Sequence, residues 1–497
     1  MTGNSTLKNL LIVTISAAAL AACGGGADNV ASPGVGAFPP GSNTGGSTGG
    51  TGGTGGTGGT GTAAADCPAG FTNVGVILNG TLRNCQLPQT ITGNLVVPAR
   101  AGTIYSISGR TDVGQDRGAD PANPIAGAQA GVLTIEPGVR IFGSAGLDYI
   151  NVLRGSQIFA EGTSTNPIIF TSRQNIEGTT GADSIGQWGG LVISGRAPIA
   201  SCPAGTTPPN VNCVATFEGG VALYGGNSPN DNSGRLRYVQ VRYAGFEIQP
   251  NRELNGITFA GVGSGTLLDY IQVHNSSDDG IEWFGGTVNA KRIVITGADD
   301  DSVDTDEGWR GGIQYLIVRQ RANGGDRGFE MSSVGVQASL NSQPKIANYT
   351  VIGSTRTGAG DIQLLNTGTG GRFINGIHVS TNASTACLDV DTASTVAAAP
   401  RWDSVVFACA VNFRNDSDVD GAATQALFEA GTNNAATFTS TLTNGFINGA
   451  NEAARPATDP KTIYSFFDTT NYIGAVRDAN DTWWQGWTCG LASGSSC

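Results

Sequence analysis

Arg237-Tyr238-Val239-Gln240-Val241, Asp269-Tyr270-Ile271-Gln272-Val273, Lys291-Arg292-Ile293-Val294-Ile295 and Gln314-Tyr315-Leu316-Ile317-Val318 are four versions of one phrase. Looser copies follow at residues 348–352, 375–379 and 403–407. With Val239, Ile271, Ile293, Leu316, Thr350, Ile377 and Val405 as one inward position, successive copies stand 22 to 34 residues apart. A repeat of this length with variable insertions marks a solenoid, because each unit buries its apolar face only by stacking on the next. Alternation points Ile271 and Val273 inward and Tyr270, Gln272 and His274 outward. A second short strand follows in each unit: Gly256-Ile257-Thr258, Gly280-Ile281-Glu282, Ser302-Val303-Asp304, Gly328-Phe329-Glu330.

In-register stacking puts equivalent residues about 4.8 Å apart. A doubly wound α/β fold would need amphipathic helices between the strands, and none is visible. An antiparallel sandwich is the alternative. The expected fold is all-β, a right-handed parallel β-helix with disulfide-clipped N-terminal and C-terminal caps. The chain divides into a signal segment (1–22), a Gly/Ser/Thr-rich tether (23–65), a cap with the first rungs (66–130), the β-helix (131–465) and a Trp-rich cap (466–497).

Composition agrees. The 497 residues include 76 glycines and only 13% charged side chains, which suits short strands joined by tight turns. A net charge of −12 argues against a phosphate-binding surface, so no nucleic-acid partner is expected. Lys8 precedes an apolar run over residues 10–20, too short to span a bilayer as a mature helix. Leu20-Ala21-Ala22-Cys23-Gly24 closely resembles a bacterial lipobox, which implies a membrane anchor on Cys23 and an outer-membrane, cell-surface or secreted location. The other eight cysteines fall into local couples: Cys67 and Cys85, Cys202 and Cys213, Cys387 and Cys409, Cys489 and Cys497. Short loops favour pairing within couples, in an oxidising compartment.

Several stretches are similar to a family of secreted bacterial lipoproteins with a pectin-lyase-like right-handed β-helix. They are residues 186–198, Tyr224-Gly225-Gly226 with residues 230–234, residues 277–286, Tyr472-Ile473-Gly474-Ala475 and Trp484-Gln485-Gly486-Trp487. That family is mostly uncharacterised, so the resemblance implies a fold and a surface location and assigns no reaction.

Chemistry concentrates in one acidic stretch. Asp278, Asp279 and Glu282 share a rung; Asp299, Asp300, Asp301, Asp304, Asp306 and Glu307 share the next; Asp326 and Glu330 lie on a third. Stacking aligns Glu282, Asp304 and Glu330 in one outward column and Asn255, Asp279, Asp301 and Asp326 in another. Three uses compete. One is a structural ladder capping turn amides and pairing with Arg310, Arg319, Arg321 or Arg327. The second is a calcium site on Asp279, Glu282, Asp301, Asp304 and Glu330, although the spacing is not an EF-hand. Asn227, Asn230 and Asp231 are a weaker candidate of that kind. The third is a carbohydrate-active enzyme, a polysaccharide lyase or glycoside hydrolase, built on the acids of 278–307 with Asp279, Asp301 and His274 as catalytic candidates. Only two histidines exist, and His378 reads as packing.

Tyr238, Tyr270, Arg292 and Tyr315, continued by Tyr349, form an outward column that could bind sugar rings or merely stabilise the sheet. The favoured function is a binding or scaffold module for extracellular glycan or matrix rather than an enzyme. Polysaccharide, or an outer-membrane protein, is the expected partner.

Overall fold

The computed structural model describes residues 61–217, 222–249, 252–333, 339–492, 495 and 497. The signal segment, Cys23 and the tether up to residue 60 lie outside the described residues. Two mainly parallel sheets, of 16 and 11 strands, carry the architecture. After leaving the first sheet at Gly234–Arg242 the chain crosses to the second at Ile257–Ala260. It returns at Leu267–His274, crosses again at Ile281–Phe284, and repeats this through Asn289–Thr296, Val303–Asp306, Gly312–Arg319 and Phe329–Met331. Each visit pairs in parallel with the previous one, as in Val239↔Ile271↔Ile293↔Leu316 and Ile257↔Ile281↔Val303↔Phe329. A chain that alternates between two sheets and advances one strand per visit is a coil: a parallel β-helix, as its period requires.

Toward the N-terminus the first sheet consists of two stacks of short strands. Gln157–Glu161 feeds the first half of Gly234–Arg242 (Ile158↔Gly234), and Ile168–Ser172 feeds the second half (Ile169↔Gln240). From residue 234 onward the two short strands fuse into one, bent at a single residue with left-handed backbone. That residue is Tyr238 (φ 49°), Tyr270 (56°), Arg292 (55°), Tyr315 (64°), Asn348 (51°) and Asn375 (55°) in successive rungs, and Ser404 (58°) holds the same place where the strand divides again into Arg401–Asp403 and Val406–Ala408. The bend interrupts strict alternation: Leu268 and Ile271 both face inward, at 3% and 0% exposure, while Asp269 and Tyr270 between them face out.

This corrects the register of the later copies. Leu316 pairs with Tyr349, so the residue equivalent to Tyr315 is Asn348, and Tyr349 lies inside the coil with its ring 5.5 Å from Phe329. Matching tyrosine to tyrosine slides the strand by one residue, which exchanges its faces. Asparagine occupies the bend because its short amide tolerates left-handed backbone better than most L-residues. His378 follows Val351 in the inward column and precedes Phe407, so it packs inside the coil.

The interior is one continuous apolar cluster from Cys85 to Phe428. Phe259, Trp283 and Trp309 form its aromatic centre, with ring centroids 5.8 and 5.2 Å apart. All four disulfides join sequence-local couples: Cys67–Cys85, Cys202–Cys213, Cys387–Cys409 and Cys489–Cys497. At the N-terminal end the antiparallel hairpin Thr72–Ile77 with Leu82–Gln86, clipped by the first disulfide, pairs with the first sheet's edge.

The C-terminal end is different from expectation. Helix Gly421–Glu429, N-capped by Asp420, puts Phe428 against Phe407 at 4.2 Å. The Trp-rich segment 466–497 does not plug that end. It runs back along the outer face of the first sheet, its main chain held by outward amide side chains. Asn348 Nδ2 donates to Tyr472 O (2.9 Å), Asp468 N donates to Gln314 Oε1 (2.7 Å), and Cys489 N donates to Gln272 Oε1 (3.0 Å). Phe446, Trp487 and Leu491 cover Val294 and Ile317, outward residues that would otherwise be an exposed apolar strip. Among the described residues no helix is long and apolar enough to cross a membrane.

Candidate functional site

The acidic residues occupy the outer face and preceding turn of the second sheet. Strand register stacks Thr258, Glu282, Asp304 and Glu330 in one column, as their spacing predicts. The turn column runs Asn255, Asp279, Asp301 and then Arg327, because Gly256 N bonds Asp279 O, Gly280 N bonds Asp301 O and Ser302 N bonds Arg327 O. Asp326 was expected in that fourth place. It stacks instead on Asp300, with Asp326 N donating to Asp300 O (2.9 Å). Asn255, Asp279 and Asp301 stand two residues before Ile257, Ile281 and Val303, and the residue two before Phe329 is Arg327.

Carboxylate oxygens of Asp279, Glu282 and Asp304 lie within 4.8 Å of one another, and so do those of Asp278, Asp279 and Asp300, and of Asp300, Asp301 and Asp326. Two like charges at that distance repel by about 3–4 kcal/mol at an effective dielectric near 20. Burial first, and then Asp278, Asp304, Asp301 and Glu282, hold the Asp279 carboxyl well above the usual range. Burial and then Glu330 and Asp300 do the same to Asp301, with Arg327 opposing. Asp300 is pushed up to about 7 by burial, Asp326 and Glu330.

Much of the strip also carries structural bonds. Asp279 Oδ1 accepts from Asp301 N (3.0 Å), Asp301 Oδ1 from Arg327 N (2.6 Å), and Asp361 Oδ1 from Ala386 N (2.6 Å). These are turn amides of the next rung, as a structural ladder requires. Arg327 bridges Asp326 (2.5 Å) and Glu330 (2.9 Å), and Arg321 pairs with Asp299. Arg310 and Arg319 bond Asn341 and Asn444 instead. Glu307 is spent on Ser201, accepting from its N (2.9 Å) and its Oγ (2.6 Å). Of the five metal candidates, Asp279, Glu282 and Asp304 come together, whereas Asp301 and Glu330 share Arg327. Asp231 accepts from Arg196 N (2.9 Å) beside a separate hollow of about 490 Å³.

Of the three catalytic candidates, Asp279 and Asp301 are neighbours in the turn column, and His274 is set apart from them. His274 lines a hollow of about 370 Å³ with Asp183, Arg319 and Arg321; Asp279 and Asp301 are not among its lining residues. Burial and the nearby Arg242 and Arg321 press the His274 imidazole down to about 3, so it is neutral at pH 7. His378 is fully buried inside the coil and pressed down to about 4 by burial.

A folded-state pKa below the unfolded value of about 6.5 means that protons bind preferentially to the unfolded chain. His378 therefore leaves stability intact above pH 6.5 and withdraws on the order of 3 kcal/mol as pH falls toward 4. His378→Gln is expected to flatten the acid limb of a urea-midpoint against pH profile between pH 6.5 and 4. An unchanged acid limb would contradict it.

The aromatic column satisfies itself. Tyr238 and Tyr270 stack at 4.2 Å, Trp487 stands edge-on to both at 5.8 and 5.7 Å, and the Arg292 guanidinium lies 4.6 Å from Tyr270 and pairs with Asp269 at 2.7 Å. Tyr315 donates to Asp468 of the tail. The column expected to offer a sugar platform is thus occupied in large part by the chain's own C-terminal segment.

One cluster escaped the sequence. Asp389, Asp391 and Asp416 bring carboxylates within 4.8 Å two rungs beyond Glu330. Asp389 is pushed up to about 9 by burial, Asp391 and Asp361, and Asp391 up to about 6 by burial and Asp418. Its only trace is the pair of alternating acids Asp389-Val390-Asp391 and Asp416-Ser417-Asp418, which are 25 residues apart and joined only by the coil.

Comparison with known proteins gives one match: the family model described as "Pectate-lyase like beta helix domain" covers residues 122–488. No curated protein and no solved structure matches the chain.

Proposed function

The chain belongs to the pectate-lyase-like β-helix domain family, whose fold fits a carbohydrate-related function, and we propose that it is a glycan- or matrix-binding module rather than an enzyme. The observation that carries this reading is the continuous acidic strip on the second sheet, with both histidines neutral and set apart from it. A lyase- or hydrolase-like site that used histidine as its acid–base group would need it beside the carboxylates. His378 is sealed in the core, and His274 faces arginines. The Asp/Glu enzyme reading retains one favourable observation, the Asp300 carboxyl at about 7, which is where a general acid works. A glycan array run with and without calcium tests binding. Turnover of uronic-acid or neutral polysaccharides that disappears in Asp300→Asn would replace the binding reading with the enzymatic one.

Calcium fits the donor set at Asp279, Glu282 and Asp304, which is all oxygen and closely spaced. A bound cation would offset carboxylate repulsion and present open coordination positions to an acidic glycan. The pH dependence has a definite sign. Carboxyls with raised folded pKa contribute stability at low pH and lose it as pH rises, through about 7 for Asp300. Calcium competes with those protons. Millimolar Ca²⁺ is therefore expected to raise Tm by roughly 2–5 °C at pH 8 and by under about 1 °C at pH 5. Asp279→Asn should remove the shift. An equal shift at both pH values, or one that survives the substitution, would contradict this.

The same proposal places the module on a lipid anchor at Cys23, at the outer membrane or cell surface. Mass spectrometry of the mature N-terminus tests that, with Cys23→Ser as the control expected to lack lipid.

A further inference from the structure

We infer that the open hollow beside Arg196, where the chain crosses from the second sheet to the first, is a calcium-independent binding site for a neutral saccharide. It lies apart from the acidic strip, none of whose carboxylates lines it, and rests on the glycan-binding reading for its ligand class alone. Arg196 follows the second-sheet strand Gly190–Ser194, Gln157 opens the first-sheet strand Gln157–Glu161, and the turn at 228–232 leads into Gly234–Arg242. The hollow between them, about 490 Å³, falls within the usual range for small-molecule clefts.

Arg196 is only 6% exposed and is held along its whole length. Its main-chain N donates to Asp231 Oδ2 (2.9 Å), its O accepts from Ser228 N (2.8 Å), and its Nε donates to Gly118 O (2.8 Å). Nη1 and Nη2 bond nothing among the described residues, and each keeps solvent-accessible surface. The guanidinium rests against Gly155, where a Cβ would stand 2.5 Å from Nη2 and 3.0 Å from Cζ and Nη1. Glycine at this position, with φ 80°, is what makes room for the fork. A guanidinium fixed at Nε with two free nitrogens is a preorganised double donor, suited to two adjacent hydroxyl oxygens of one sugar ring.

The rest of the wall offers both kinds of partner. Asn230 and Asn232 are exposed and spend their Oδ1 atoms on Ser264 Oγ (2.9 Å) and Gly234 N (2.9 Å), which leaves both Nδ2 groups to donate. Gln157 donates Nε2 to Asn232 O (3.2 Å) and keeps Oε1 to accept. The Ser228 hydroxyl, bonded to no described group, serves either way. Charge decides between a sugar and an ion. The guanidiniums of Arg196, Arg154 and Arg117 are matched by the carboxylates of Asp231, Asp116 and Asp120, with Arg154 paired to Asp116 at 2.6 Å. A free anion finds no excess positive charge here, and the Arg196 guanidinium repels a cation that approaches Asp231. A neutral ring rich in hydroxyls needs donors and acceptors together and no net charge, which is what this wall presents.

The test is calorimetric titration of the full-length protein in EDTA, with hexasaccharides of cellulose, xylan, mannan and galactan as neutral probes and of polygalacturonate as the acidic one. At least one neutral hexasaccharide should bind saturably and more tightly than the acidic one. Arg196→Lys keeps the charge but loses the fork, and should weaken that binding about tenfold or more. Ser228→Leu fills the hollow from a half-buried wall position whose side chain bonds nothing described, and should abolish binding even if Arg196→Lys folds poorly. No saturable binding of any neutral probe, tighter binding of the acidic probe, or unchanged binding in Ser228→Leu overturns the inference. EDTA removes calcium, so a failure here leaves the calcium reading of the acidic strip standing, and a failure of that reading leaves this site untouched.

Discussion

Trp283→Ala is expected to lower the unfolding free energy by about 3–5 kcal/mol, the usual range for deleting a fully buried aromatic side chain. Trp283 has no exposed surface, stacks on Phe259 from the previous rung, and packs against Trp309 of the next. Its removal therefore weakens two inter-rung interfaces together. A solenoid is stabilised mainly through nearest-neighbour interfaces, so a weak central rung should also divide the unfolding transition. Urea melts followed by circular dichroism and by tryptophan fluorescence should stop coinciding. Trp283→Phe should restore most of the loss, because it refills part of the cavity. A single unshifted transition in the alanine variant would show that the aromatic centre is not what joins the rungs.

The second large effect is expected at the tail. Trp487 is 1% exposed, its indole donates to Trp483 O (2.8 Å), and its edge meets the stacked Tyr238 and Tyr270. Trp487→Ala removes the central contact of a segment whose described residues form no strand with the coil beneath it. We expect a local loss of about 2–4 kcal/mol, less than a fully rigid site would give because the tail can lift instead of leaving a cavity. Hydrogen exchange should accelerate at residues 483–491 while the interior strands stay protected. Dye binding should rise as Tyr238, Tyr270, Val294 and Ile317 become exposed. If glycan affinity rises in parallel, the tyrosine column is a binding surface that the tail covers. If it does not, the column is the tail's docking site. Uniform loss of protection across the coil would contradict a locally detachable tail.

These two tryptophans mark the limit of what could be read from residues in order. Trp283 belongs to a rung whose neighbours are about one period away, so its partners recur with the pattern. The Trp487 main-chain oxygen accepts from Gln240 Nε2, 247 residues earlier, a contact that no repeat in either segment announces. The acidic strip belongs with Trp283, on the side of the pattern. Glu282, Asp304 and Glu330 stacked as their strand phrases implied, since strand register is fixed by the inward apolar ladder. Asp326 did not, because it lies three residues before Phe329, whereas Asp279 and Asp301 lie two before Ile281 and Val303; the same offset selects Arg327. Tyr349 was misplaced because side-chain identity suggested one register and the left-handed bend imposed another.

The sequence by itself determined the coil, its inward Val/Ile/Leu ladder, the local disulfide couples and the face that carries the acids. All of these follow from contacts between residues one period or less apart. Only the tertiary structure decided that the C-terminal segment lies along the sheet and covers the tyrosine column. It alone withdrew His274 from the carboxylates and set it among arginines, and joined Asp389 and Asp391 to Asp416. Such contacts bring together stretches that share no period. They depend on how far each turn lets the chain advance, and that distance is set by packing in three dimensions.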